Sequence, residues 1–465
     1  MTGLKRWILL LAALLAGVPA SATPSWGADW KAGVAKARIT PDAPMPMAGY
    51  ASRGSDPATG TLTDIWAKVL VLEDAQGKQA ALITLDLVGI DSVFYNTVTS
   101  KLKERYQWEK SQIAICTSHT HTAPVLGKTL PTMHYLEFDE VARQQVDAYS
   151  DLVEAAILKA AGEAFENRKS ATISWGSGRA TFAVNRRTNR EADVEKLLAE
   201  NKLLGPNDHD VPVLAVKQGD QLAAVVFGYA CHNTTLSLMQ WSGDYAGFAQ
   251  IDLEKALPGC QAMYWAGCGA DQNPLPRRTV ELAMKYGSQL ASAVQQVLAG
   301  EMQPISPVMT PAYGTVPLPF SHVPSKSEIE NDLASSNKYT VNRAKTYLAR
   351  LANGESLPVS YDYPIVVWRL GNQITWVFLS GEVVVDYAIR LKTDLAGDAA
   401  PSRIWVAGYS NDVMAYIPSL RVLNEGGYEG GGAMVYYGLP SPWAETVEDL
   451  IVNTVEKLAA PTGTN

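Results

Sequence analysis

The chain has 465 residues, 47% of them hydrophobic and 18% charged, which excludes a disordered chain and provides for a large buried core. Its formal charge is −8, and taking Lys5 and Arg6 of the leader from its 39 basic side chains leaves 37 against 47 acidic ones, a net of −10. A surface of that sign argues against nucleic acid and offers no attraction to anionic lipid.

The first residues, "MTGLKR" followed by "WILLLAALLAGVPASA", combine a basic start, a short apolar core and an Ala20-Ser21-Ala22 cleavage signature. This predicts a secretory signal peptide over 1–22 and an exported product, periplasmic or secreted. The apolar run from Trp7 to Val18 is 12 residues, short of the roughly 20 that span a bilayer. No later stretch qualifies, so no transmembrane segment is expected after signal removal. The four cysteines, 116, 231, 260 and 268, show no zinc-finger spacing; an exported chain could pair them, and the simpler reading is small buried residues at strand ends.

Beyond the leader, "AGVAKARIT", "TDIWAKVLVLED" and "QAALITLDLVGID" are apolar, β-branched runs punctuated by Gly, Pro and Asp, and are read as strands. Residues 135–167 carry apolar side chains at helical spacing and predict a long amphipathic helix. Strands resume at "ATISWGSGRA", "VPVLAVKQ" and "LAAVVFGYACH". A helix follows Asp244, "AMYWAGCGADQNP" reads as strand into loop, and 278–299 reads as a further helix. Residues 326–353 predict a polar helical hairpin on the outside. "YPIVVWRL", "ITWVFLSGE" and "RIWVAGYSND" return to strand, and 442–459 predict a closing helix. No fixed-period repeat or linker divides the chain, so the expectation is one large α/β domain over 23–465, mixed β-sheets flanked by α-helices in a layered sandwich.

Chemistry-bearing residues recur at predicted strand ends. "CTSHTHTAP" places His119 and His121 two residues apart, and period-two alternation would set both imidazoles on one face. Such a pair suits a metal, one ligand beside one acid–base group, or a merely polar strand end. His232 ends the strand "LAAVVFGYACH", and Glu382 lies just past a strand and before a helix, where a carboxylate also complements the helix dipole.

Taken together, "MAGYASRG", "TLDLVGI", "SHTHTAP", "SGDYAGFA" and "GYEGGGAMVYYG", in that order over most of the chain, resemble the catalytic domain of the neutral, non-lysosomal ceramidases, zinc amidohydrolases that cut the N-acyl bond of ceramide. The resemblance implies Zn2+ ligated by His119, His232, Glu382 and Tyr416. It maps His121, Arg186 (with Arg187 as the register alternative) and Tyr428 onto the remaining active-site groups. His121 would bond the attacking water or the leaving group, and Arg186 and Tyr428 would donate to the developing oxyanion. Asp271, Asp244 and Asp86 are candidates for orienting the histidines.

Two departures from the family pattern stand out. The ceramidases carry Gly-Asp-x-Ser-Pro with a serine at the scissile bond; here the stretch is Ala270-Asp271-Gln272-Asn273-Pro274. A carboxamide is no acyl nucleophile but can donate a hydrogen bond, so Asn273 implies attack by zinc-activated water. The sequence also ends at Asn465, soon after the closing helix, so the immunoglobulin-like domain that the family appends is not expected. The expected activity is hydrolysis of the amide of ceramide or a related N-acyl lipid. The alternatives are a paralogue acting on another amide or ester, sugar or cell-wall derived, and an inactive zinc-containing binding protein.

Overall fold

The computed structural model describes residues 30–461; the signal peptide expected over 1–22 lies outside them. Nine strands form the larger sheet, in the spatial order Gln261–Ala266, Gln221–Tyr229, Asp210–Gln218, Lys169–Arg179, Trp30–Arg38, Trp66–Glu73, Gln79–Leu85 and Ile113–Thr117, with Gln303–Pro304 beside Lys169–Arg179. A second sheet runs Met309–Pro319, Ser360–Leu370, Ile374–Leu379 and Ile404–Ala407.

The period-two pattern explains how the sheets stack. Along Trp66–Glu73, Leu70 and Leu72 face the second sheet, where they join Trp265, Trp368, Trp376 and Trp405 in a core between the sheets. Val69 and Val71 point the other way, into Val98, Leu102, Val146 and Val153 of the helices Ser92–Tyr106 and Glu140–Glu166. At the other end of the same sheet, Val213 and Phe227 pack under the helices Asp244–Ala256 and Val280–Ala299. Ile365, Val367 and Val377 of the second sheet lie under Val385–Ala396 and Val447–Ala459. The result is a helix, sheet, sheet, helix sandwich, as the strand and helix patterning implied.

Two features escaped the sequence. Met309–Pro319 is an eleven-residue strand containing Pro311, Pro317 and Pro319. It tolerates them because it is the edge of its sheet, where a missing N–H breaks no second ladder. Three parallel strand pairs are also each joined by one helix: Gln79–Leu85 with Ile113–Thr117, Gln221–Tyr229 with Gln261–Ala266, and Ile374–Leu379 with Ile404–Ala407. The C-terminal ends of Ile113–Thr117, Gln221–Tyr229 and Ile374–Leu379 lead into His119, His232 and Glu382, the position at which α/β sheets present functional side chains.

The polar hairpin forms as expected from Lys326–Asp332 and Lys338–Ala352. It buttresses a loop near those strand ends: Arg343 donates to the Leu439 carbonyl at 3.1 Å and the Tyr347 hydroxyl to that of Gly438 at 2.7 Å. All four cysteines are buried and free, which settles the choice in favour of small core residues. No helix among the described residues is long and apolar enough to cross a membrane.

Candidate active site

Three strand ends deliver one cluster. His119 follows Ile113–Thr117, His232 follows Gln221–Tyr229, and Glu382 follows Ile374–Leu379. Tyr416 lies opposite Glu382 in a short parallel pair, Glu382–Val383 with Tyr416–Ile417. The two histidines do not converge through strand alternation as expected. The strand stops at Thr117, and His119 sits in the left-handed region, φ +58°, so a turned backbone rather than a pleat aims its ring. Tyr409 and Asn411, with φ of +51° and +63°, are held in the same unfavourable region. Paired hydrogen bonds between Asn411 and Ile115, at 2.7 and 3.0 Å, enforce it and lay the Tyr409 ring 4.3 Å from that of His119.

Backbone carbonyls fix the tautomers. The Nδ1–H of His119 donates to the Val88 carbonyl at 2.5 Å, and that of His232 to the Gly269 carbonyl at 2.8 Å. In the neutral rings both Nε2 atoms then present lone pairs, and each lies 3.2 Å from Oε2 of Glu382. That oxygen is buried without a hydrogen-bond partner. The Tyr437 hydroxyl donates to the other carboxylate oxygen, Oε1. Gly269 can approach because it lacks a side chain: a Cβ there would lie 2.5 Å from the Cys231 nitrogen.

Two lone pairs facing one anionic oxygen form a site that a cation would fill. A tetrahedral ion with bonds of about 2.0–2.1 Å separates its ligand atoms by about 3.3 Å. The Tyr416 hydroxyl stands 3.3 Å from the Nε2 of His232, and the Nε2 of His121 stands 3.1 Å from that of His119. The nitrogens of His119, His121 and His232 all lie within 4.8 Å of one another, a group that could hold a metal ion. The donor set fits a divalent transition ion. Burial lowers the pKa of His232 to about 4 and that of His121 well below its ordinary value, so both rings favour the neutral form that donates a lone pair.

Arg186 spans the other side of the cluster. Its Nη2 donates to the Tyr416 hydroxyl at 3.1 Å, its Nη1 to Oδ1 of Asn273 at 3.2 Å and its Nε to Glu429 at 2.7 Å. The strand pair Ala183–Asn185 with Gln272–Pro274 sets Arg186 beside Asn273. Arg187 reaches Glu425 and Glu429 instead, which favours Arg186 in the register left open by the sequence. Tyr428 closes the group, its ring 5.2 Å from that of Tyr416 and 45% exposed, so it is reachable from outside.

The carboxylates expected to orient the histidines do not do so. Asp271 accepts from the Val385 amide and the Asn185 side chain, each at 2.9 Å, and burial raises its pKa to about 6. Its contribution to the cluster is its carbonyl, which receives the Arg186 amide at 2.8 Å. Asp86 bonds the Trp66 amide and Gln250, and Asp244 the amides of Leu236 and Tyr245. Sequence reasoning missed Tyr437, Glu429 and Arg53. The first two lie in or beside the quoted "GYEGGGAMVYYG", and Arg53 in "MAGYASRG". Arg53 is buried and donates to the carbonyls of Ala48, His121 and Leu238, so one guanidinium ties three loops together behind His121.

Residues 30–307, more than half the chain, match the family model described as "Neutral/alkaline non-lysosomal ceramidase, N-terminal". The segment includes His119, His121, Arg186, His232 and Asn273 and stops before Glu382 and Tyr416. Among solved structures, the fold is similar to "Ceramidase complexed with C2", with TM-score 0.72 and 17% identity over 93% of this chain and 75% of that one. It is also similar to the neutral ceramidase from Pseudomonas aeruginosa, with TM-score 0.68 and 18% identity over 94% and 76%. No curated protein matches the chain in sequence.

Proposed function

The chain belongs to the neutral/alkaline non-lysosomal ceramidase family, and from that premise we propose that it is an exported, zinc-dependent amidohydrolase acting on ceramide or a related N-acyl lipid. The observation that carries this reading is the convergence of the two Nε2 lone pairs of His119 and His232 on the unpartnered Oε2 of Glu382. His119, His232, Glu382 and Tyr416 would hold the ion. When bound, zinc supplies Lewis acidity, polarising a carbonyl and making water a competent nucleophile near neutral pH.

The chain's own residues perform the remaining work. Arg186 and Tyr428 donate to the carbonyl oxygen as it gains charge, and Glu429 keeps the guanidinium aimed. Asn273 binds Arg186 through its oxygen, which leaves its amide N–H groups free to donate. His121, whose Nε2 faces the cluster 3.1 Å from that of His119, takes a proton from water and returns it to the departing amine. The leader over 1–22 supports export.

The test is release of free sphingoid base from an N-acyl ceramide by the purified 23–465 chain, with zinc and with a chelator. Chelator-sensitive release is expected. No release by zinc-loaded protein removes ceramide, and turns attention to the other amides and esters that the change to Asn273 would admit.

A further inference from the structure

The approach to the cluster on the Arg186 side is a cleft of about 470 Å³. Its walls present three guanidiniums, of Arg186, Arg187 and Arg277, against two carboxylates, of Glu191 and Glu429, with Asn273 and the Tyr428 ring between them. No aliphatic side chain lines it. The guanidiniums are held in place: Arg187 by Glu425 at 3.0 Å and Glu429 at 2.7 Å, and Arg277 by both oxygens of Glu191 at 2.9 and 2.7 Å. Arg278 adds a further positive charge nearby, bonded to the Tyr50 hydroxyl at 3.1 Å.

An alkyl chain laid across these groups would strip water from charges and return no hydrogen bond. A carboxylate would instead find preset donors: the Nε/Nη2 forks of Arg187 and Arg277 are held by Glu425 and Glu191, and their remaining Nη1 N–H groups are left to bind it. With Arg278 counted, four guanidiniums meet the three carboxylates of Glu191, Glu425 and Glu429, a net of one positive charge within a protein whose formal charge is −8, which favours an anion at this mouth. The acyl tail of an N-acyl lipid has no apolar surface to follow here, so the cleft receives the amine portion.

Building on the amidohydrolase reading, we infer that the preferred substrate carries a carboxylate on its amine side, as an N-acylated amino acid does, and that Arg187 and Arg277 select it. Water adds across the amide: the acyl carbon gains the hydroxyl, the C–N bond breaks and the nitrogen takes the proton, releasing fatty acid and free amino acid.

A matched pair of probes isolates the charge: N-lauroylglycine and N-lauroylethanolamine differ only in carboxylate against hydroxymethyl. Binding to metal-stripped protein is measured by calorimetry, and laurate release by zinc-loaded protein. The glycine conjugate should bind at least tenfold more tightly at low salt, with the ratio shrinking as salt rises. Arg277→Gln and Arg187→Gln should reduce that ratio, and Arg277→Lys should keep part of it. Equal or tighter binding of the ethanolamine conjugate by the unaltered protein overturns the inference, even if both are hydrolysed and the amidase reading stands. Carboxylate-selective binding without laurate release from either probe upholds the cleft and removes the amidase reading.

Discussion

The Nε2 of His119 lies 3.2 Å from Oε2 of Glu382. The imidazole has spent its N–H on the Val88 carbonyl, and the oxygen is buried without a hydrogen-bond partner. A neutral imidazole set so against a carboxylate oxygen is repulsive unless a cation lies between them. His119→Ala should therefore abolish stoichiometric metal binding, measured as metal per chain by elemental analysis after dialysis. One full equivalent retained by that variant would remove His119 from the ligand set.

Tyr437 tests the layer behind the cluster. Its hydroxyl donates to Oε1 of Glu382 and so leaves Oε2 as the oxygen that faces the histidines. Tyr437→Phe keeps the ring in its buried site and deletes only that bond. Metal affinity, read by competition with a chromogenic chelator, should weaken about 10- to 100-fold, the usual effect of losing a partner that orients a ligand. Unchanged affinity would mean that the Glu382 carboxylate is oriented by its backbone alone.

The layered architecture was legible because it follows from local pattern, whereas the donors were named by the family resemblance, local pattern alone leaving Glu382 a partner of the helix dipole. Alternating apolar residues mark strands, and His119, His232 and Glu382 stand where such runs end. The remainder depends on contacts that no local pattern encodes. Glu382 meets Tyr437 across 55 residues and Arg186 meets Glu429 across 243. The histidines are oriented by the carbonyls of Val88 and Gly269, which any residue type would supply, so searching for nearby aspartates could not find them. The three strand–helix–strand units share a geometry but not a length or a motif, and therefore leave no period in the sequence.

Asn273 stands where the family pattern has a serine, and its side chain is fixed by the Arg186 guanidinium at 3.2 Å. If its amide N–H donates to the reacting carbonyl, Asn273→Ala should lower kcat about 100-fold, the scale of one lost oxyanion donor, with metal content unchanged. An unaltered rate would assign Asn273 to holding Arg186 and nothing more.

Gly49 shapes the space around His121. It has φ +93°, and a Cβ there would lie 2.5 Å from two atoms of the His121 ring. Gly49→Ala must therefore strain its backbone and push the imidazole, at a cost of about 1–3 kcal/mol for the backbone alone. The expected signature is a fall in kcat with metal content retained, since His119 and His232 are anchored elsewhere. Wild-type kcat with a lowered Tm would show that the position of His121 does not matter for turnover.

Asp412 offers a stability test away from the donors. It is 2% exposed in the loop between Tyr409 and Tyr416, accepts the Tyr361 hydroxyl at 2.6 Å, and burial raises its pKa from 3.8 to about 7. The folded chain thus keeps a proton that the unfolded chain releases near pH 3.8. Between those values the unfolded state binds fewer protons, so this group's contribution to stability falls as pH rises and is lost by about pH 7. The loss amounts to a few kcal/mol at about 1.4 kcal/mol per pKa unit. Asp412→Asn resembles the protonated carboxyl at every pH and escapes the loss. Its Tm should match that of the unaltered chain near pH 4 and exceed it by several degrees at pH 8, measured by calorimetric scans in the two buffers. A Tm difference that does not change with pH would mean that Asp412 is ionised throughout, with its charge compensated by Tyr361 and the start of the helix at Ser92.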